Sequence, residues 1–335
     1  MPNHDDVRES LEAARASLRS GDVAGAEAGF RRVLARDPDQ PEALHALARV
    51  ALQSGRDAEA VPLLERAIVR APGAARLHSD LAVALQNQGL DAPAVDAARR
   101  ARSLAPGDLS ALNTLGNALR ALGRASEAIE PLSEAARLRP DLAIVQLNLA
   151  AALRDAGRAE EALAACERAA PLASEDPGIH RRVGAVLRSL GRYEDAERRL
   201  LRVLELRPDD AEAHNALGNV LLDAGERDAA EASYRRAIAA RSSAVEAHYN
   251  LGTLLAADGR HEEALGALEA AARLSPDLAD VRIRMGQACC DLARFEAAVV
   301  HFERALAIDA HQADAHNGLG NALRALGRSD AAGAA

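Results

Sequence analysis

The chain has 335 residues, of which 49% are hydrophobic but only 2% aromatic, and carries a net charge of −9. An acidic balance argues against general nucleic-acid binding, which needs an excess of cations on one face. The opening MPNHDDVRES is polar and acidic, unlike a signal peptide, and no apolar run of about 18 residues is present to span a bilayer.

Residues 1–6 read as a short polar lead, and the rest, 7–335, as one array. Its units begin at Val7, Pro41, Ala75, Leu109, Ala143, Pro177, Ala211, Val245, Ala279 and Ala313. Glycine recurs every 34 residues at Gly21, Gly55, Gly89, Gly123, Gly157, Gly191, Gly225, Gly259 and Gly327, with Ala293 as the exception. Five residues later stands alanine each time, from Ala26 to Ala332, and the eighth place is Ala or Gly from Ala14 to Gly320. Proline closes six units, at Pro38, Pro72, Pro106, Pro140, Pro208 and Pro276, while Ser174, Ser242 and Ala310 stand in its place elsewhere. A length of 335 residues alone would point to about two globular domains, but a fixed period across the chain outranks that prior.

Within each unit the spacing predicts a first helix over roughly the first fourteen places and a second over roughly places eighteen to thirty-one. The glycine supplies a left-handed turn and the proline stops the second helix. Neither helix can bury its apolar face alone, so the units must stack. Two helices approach to about 8 Å only where the crossing residues are small, so Ala128 is expected to meet Gly116, with Leu115, Leu119 and Leu132 filling the space beside it. Pro93 falls near a helix start, whereas Pro62 and Pro131 lie deeper and should bend the helix or remove a backbone bond. The tenth unit has a full first helix, then Gly327 and a short tail containing SDAAGAA. That leaves no room for a second helix, and the array is expected to have continued in a parent protein or to end frayed.

The three cysteines fit neither a disulfide framework nor a zinc pattern, and Cys166 and Cys289 occupy apolar places. All 41 basic residues are arginine, which beside so much alanine reads as genome base composition. A reduced, cytoplasmic protein is the expectation.

These landmarks resemble the tetratricopeptide repeat over about 330 residues: a small residue at place eight, glycine at fifteen, alanine at twenty and twenty-seven, proline at thirty-two. The resemblance implies an all-α fold, a right-handed α-solenoid or superhelix of about ten 34-residue helix-turn-helix repeats. Its first helices would line a concave groove that takes a peptide or an extended protein segment. The phrases NTLGNALRALGR and HNGLGNALRALGR are also similar to the arrays that precede catalytic domains in bacterial O-linked N-acetylglucosamine transferase-like and sulfotransferase-like proteins. Where the family often has tryptophan at place four, this chain has His78, His180, His214, His248 and His316. They read as packing or hydrogen-bonding spacers, because equivalent places on stacked repeats lie about 10 Å apart, too far to share a metal.

Groove-facing places are expected near two, five, six, nine, twelve and thirteen. Asn113 and Asn117 stand there in one unit, Asn148 in the next and Arg182 in the one after. The arrangement returns 102 residues on as Asn215, Asn219, Asn250 and Arg284, and begins again at Asn317 and Asn321. Duplication of a three-unit block would give the same super-period without selection for binding. An asparagine amide carries both donors and an acceptor, so a row of them could hold a peptide by its backbone. The transferase-linked arrays use asparagines in this way, which the resemblance extends to these residues. Arg120, Arg154 and Arg188 form a second column and would make a cationic strip for an acidic segment.

No nucleophile elbow, phosphate-cradling loop or HExxH is present, and Glu160/Glu161 and Glu262/Glu263 read as helix-start residues. The reading is a non-catalytic scaffold that needs no cofactor or metal, binding extended or acidic protein segments and neither nucleic acid nor membrane. Two alternatives stay open: the substrate-recognition array of a larger glycosyltransferase- or sulfotransferase-like enzyme, and end-to-end self-association through the uncapped C-terminal face.

Overall fold

The computed structural model describes residues 4–172 and 175–327, and among them every regular element is a helix. The chain divides into two compact units, Met1–Leu172 and Ala173–Ala335. The first holds α1 (His4–Arg19), α2 (Val23–Arg36), α3 (Pro41–Gln53), α4 (Asp57–Arg70), α5 (Ala75–Asn87), α6 (Asp91–Leu104), α7 (Leu109–Ala121), α8 (Ala125–Leu138), α9 (Ala143–Asp155) and α10 (Ala159–Leu172). The second holds α11 (Pro177–Ser189), α12 (Tyr193–Leu206), α13 (Ala211–Asp223), α14 (Arg227–Ala240), α15 (Val245–Ala257), α16 (His261–Leu274), α17 (Ala279–Asp291), α18 (Phe295–Ile308) and α19 (Ala313–Ala325). Helix α1 starts inside the polar lead, three residues before Val7. The expected places of Ser174, Ala332 and the SDAAGAA tail lie outside the described residues.

The ends of the helices follow from single residues. The turn glycines take φ between +68° and +88°, and Ala293 is forced into the same region at +57°. Left-handed backbone costs an L-residue about 1–2 kcal/mol, and glycine avoids that cost. Some first helices are capped at their N-termini by the residue that ends the preceding repeat: Gln40, Asp108 and Asp210 accept from the backbone N–H three residues on, at 2.7–3.1 Å. Helices α4 and α8 run on through Pro62 and Pro131. Each loses a backbone donor there without breaking.

The crossing of the two helices of a repeat has the predicted form. The place-twenty alanines Ala26, Ala60, Ala94, Ala128, Ala162, Ala196, Ala230, Ala264 and Ala298 are completely buried. A Cβ on Gly252 would lie 3.1 Å from the Ala264 carbonyl oxygen and 2.6 Å from Leu268. The side chain at place twenty-four therefore sits on the bare eighth place. Leu132 covers Gly116, Tyr234 covers Gly218 and Phe302 covers Gly286.

Within each unit, repeats stack because a second helix packs on the first helix that follows it. The first helices also touch their successors: α3 with α5, α5 with α7 and α7 with α9 in one unit, and α11 through α19 in the other. Among the described residues no second helix packs on the next second helix to the same extent. Within each unit the first helices therefore line the inner side of the stack. His78, His214, His248 and His316 tie this stacking down. Each donates an Nε2–H at 2.8–3.0 Å to the carbonyl of the residue closing the preceding repeat.

Two glycines predict opposite outcomes. Gly218→Ala places a methyl 2.5 Å from the buried Tyr234 ring, and should lower stability by about 1–3 kcal/mol in denaturant unfolding. Gly266→Ala meets nothing within 4 Å in the middle of α16, and should raise stability by about 0.5–1 kcal/mol. Ala293→Gly should raise it by about 1 kcal/mol, read as a higher melting midpoint.

Candidate functional site

The inner face carries polar side chains at places five, six, nine and twelve of the first helices. Stacking sets a residue beside the one 35 positions later, one place further along the next helix. In the first unit Asn148 Nδ2 donates to Asn113 Oδ1 at 3.1 Å, and Asn113 Nδ2 donates to the Leu109 carbonyl at 3.0 Å. Asn148 is buried and Asn117 is half-buried.

The second unit repeats the pair and extends it. Asn250 Nδ2 donates to Asn215 Oδ1 at 3.0 Å and to Asn219 Oδ1 at 3.1 Å. The Tyr234 hydroxyl donates to the same Asn219 oxygen at 2.8 Å. Burial pushes the Tyr234 phenol up to about 12, so it stays a donor at neutral pH. The network uses the Oδ1 atoms of Asn215 and Asn219 and, among the described residues, leaves their Nδ2 groups free. Both residues line a cavity of about 690 Å³ bordered by α11, α13 and the start of α15, with Arg181, Arg182, Arg241 and Glu212 on its walls. Arg181 donates to Glu212 at 2.6 Å and to Asp210 at 3.3 Å.

The arginine column does not form an open cationic strip. Arg120 Nε donates to Asp155 at 2.9 Å, Arg154 reaches the same carboxylate at 2.6 Å, and Arg188 Nε donates to Asp223 at 2.6 Å. The reason is the 35-residue step, which sets place thirteen of the next repeat beside place twelve. Burial pushes the Asp155 carboxyl up, but hydrogen bonds from Arg154 and Arg120 outweigh it and hold it below its ordinary value. Arg284 donates to Gln287 at 3.1 Å, and Arg324 donates to Asn321. Asn317 and Asn321 line a separate cavity of about 260 Å³ with Gln287, Cys290 and Asp291. Burial pushes the Cys289 and Cys290 thiols up, which keeps them protonated and poorly nucleophilic.

One part of the inner face escaped the sequence reading. A cavity of about 1050 Å³ in the first unit is lined by α3, α5 and the start of α7, with His45, Arg49, Arg76, Ser79 and Asp80 among its walls. His45 Nε2 and Asp80 Oδ2 lie 2.6 Å apart. Their separation of 35 residues is that of the asparagine pairs, and a search for polar pairs at that step would have found them. No described helix is long and apolar enough to cross a membrane.

Comparison with known proteins agrees with this geometry. Tetratricopeptide repeat families match residues 17–82, 113–177, 177–243 and 216–279, and a TPR repeat family matches 286–327. No curated protein matches the chain. Among solved structures, yeast Tom70 superposes with a TM-score of 0.61 at 14% identity, over 99% of this chain and 89% of its own. The APC/C hetero-tetramer Cut9–Hcn1 superposes with a TM-score of 0.53 at 17% identity, over 89% of this chain. This chain spans 59% of that one's length. At such identities the likeness is one of fold: stacked helix-turn-helix repeats in a right-handed α-solenoid. The chain belongs to the tetratricopeptide repeat family.

Proposed function

We propose that the inner face of the second unit holds an extended protein segment by its carbonyl and carboxylate oxygens. The tetratricopeptide solenoid is in general a protein-interaction scaffold, and this reading assigns the contact to Asn215 and Asn219. One observation carries it. Asn219 Oδ1 already accepts two bonds, from Asn250 and Tyr234, and Asn215 Oδ1 accepts one from Asn250, while both Nδ2 groups stay unused among the described residues, so these amides face a partner chiefly as donors. The site is therefore selective in polarity. It favours the acceptor edge of an extended chain over a donor. Buried packing against Tyr234 fixes the amides before binding, which spares the complex part of its ordering cost.

The test begins with a peptide selected from a display library against this protein. Asn215→Asp keeps the oxygen that Asn250 needs but exchanges the free donors for an acceptor. It should weaken the selected peptide at least about tenfold, equivalent to about 1.4 kcal/mol, with an unchanged helical melt. Asn250→Ala, which frees the Asn215 amide to turn while Tyr234 still holds Asn219, should cost less. Unaltered affinity in Asn215→Asp would refute the assignment.

A further inference from the structure

The large cavity of the first unit has a charge arrangement that the repeat geometry explains. In the first repeat, Arg15 on α1 is ion-paired with Glu42 on α3, 27 residues later. The same step in the next repeat joins Arg49 on α3 to Arg76 on α5. A guanidinium therefore stands where the preceding repeat has the carboxylate. No other repeat within either unit puts two like charges at this step: it joins Val83 to Ser110, Asn117 to Ile144, Ala185 to Glu212 and Asn219 to Glu246. Thr253 with Asp280 and Gln287 with Asp314 complete the series.

Arg49 and Arg76 are both exposed, both line the cavity, and neither has a carboxylate partner among the described residues. The two acids on the same wall are already engaged. Asp80 is held by His45 at 2.6 Å, and Asp108 caps α7 by accepting from the Ala111 N–H at 3.1 Å. The hydroxyl of Ser79, a residue only 3% exposed on the cavity wall, has no hydrogen-bond partner. The result is two guanidiniums without an ion-pair partner on one cavity wall, beside two carboxylates whose hydrogen bonds are directed elsewhere, in a protein whose net charge is −9.

We propose that this cavity receives a phosphoryl group carried on a protein segment, bridged between Arg49 and Arg76. A carboxylate would neutralise one of the two guanidiniums and leave the other facing it. A phosphoserine or phosphothreonine brings a charge of about −1.5 to −2 and three acceptor oxygens, enough to engage both planar forks. The site shares with the proposed function the idea that first helices carry the partner, but it uses none of the asparagines.

The experiment uses bead-bound nonapeptide libraries, randomised except for a central phosphoserine, serine or glutamate, with inorganic phosphate as a competitor. The phosphoserine beads should capture the protein at least about tenfold better than the serine beads and clearly better than the glutamate beads. Arg49→Gln and Arg76→Gln should each remove most of that preference. Arg76→Glu should abolish it while raising the melting temperature, because a carboxylate at that position would make with Arg49 the pair that Arg15 makes with Glu42. Equal capture by phosphoserine and serine beads, or a preference that survives Arg76→Glu, overturns the proposal. Equal capture by phosphoserine and glutamate beads overturns the phosphoryl assignment and leaves a carboxylate site. Inorganic phosphate that binds as tightly as the phosphopeptides overturns the protein-borne ligand. Serine beads that bind in an Asn215-dependent manner without any phosphoserine preference sink this inference alone, whereas no capture by any library counts against both readings.

Discussion

The close crossing of the two helices in each repeat is the constraint on which the other contacts depend. It exists because place eight has at most a methyl group, place twenty is a buried alanine, and the side chain at place twenty-four closes over them both. Leu268 on Gly252 and Tyr234 on Gly218 are two versions of that closure. Once the pair is fixed, its apolar outer surface can be buried only by another pair, and the array grows by neighbour contacts. Stacking then sets each first helix one place out of step with the next. The 35-residue step that follows decides which inner-face side chains meet. It pairs Asn113 with Asn148, Asn215 with Asn250, His45 with Asp80 and Arg120 with Asp155.

The distinction between place and neighbour explains what could be read from the sequence and what could not. Helix positions, turns, the buried alanines and the bonding role of His78 or His214 follow from the 34-residue period, because each depends on one repeat or on one junction. The inner face depends on the offset between repeats. Read as columns of equal place, Arg120, Arg154 and Arg188 look like an exposed cationic strip. Read along the offset, Arg120 meets Asp155 and Arg188 meets Asp223, while Arg154 turns to its neighbour Asp155, and the column loses most of that character. The asparagines change meaning in the same way. Their composition offers both donors and acceptors, yet the Tyr234 hydroxyl and the Asn250 amide fill the acceptor of Asn219, and Asn250 takes part of that of Asn215. Tyr234 sits on a second helix and was legible only as core, so its hold on Asn219 had no signal in the pattern.

The arginine-only composition also has a structural use, whatever its origin. Arg56 spans a repeat junction to grip Glu27 with two bonds of 3.0 and 2.9 Å, and Arg260 reaches Glu231 and Glu263 together. The bond from Arg56 holds the Glu27 carboxyl below its ordinary value against an opposing desolvation. A planar fork can bridge two carboxylates or clasp one by both oxygens, and an ammonium cannot do so with the same geometry. Each exposed pair is worth at most about 1 kcal/mol. Because they recur at successive junctions, they act on the stacking that the apolar contacts begin.

Specificity can therefore vary without touching the fold. Places eight, twenty and twenty-four answer to the helix crossing, and substitutions there are felt as overpacking or cavities. Places five, six, nine and twelve of the first helices answer mainly to their neighbours one offset away. There an isolated change alters charge or hydrogen-bond polarity and leaves the crossing intact. The two units illustrate the range. One presents Arg49 and Arg76 beside a His45–Asp80 pair, and the other presents the free amide donors of Asn215 and Asn219. Both arrangements stand on nearly identical helix pairs, so the chemistry of recognition follows from which side chains the offset brings together.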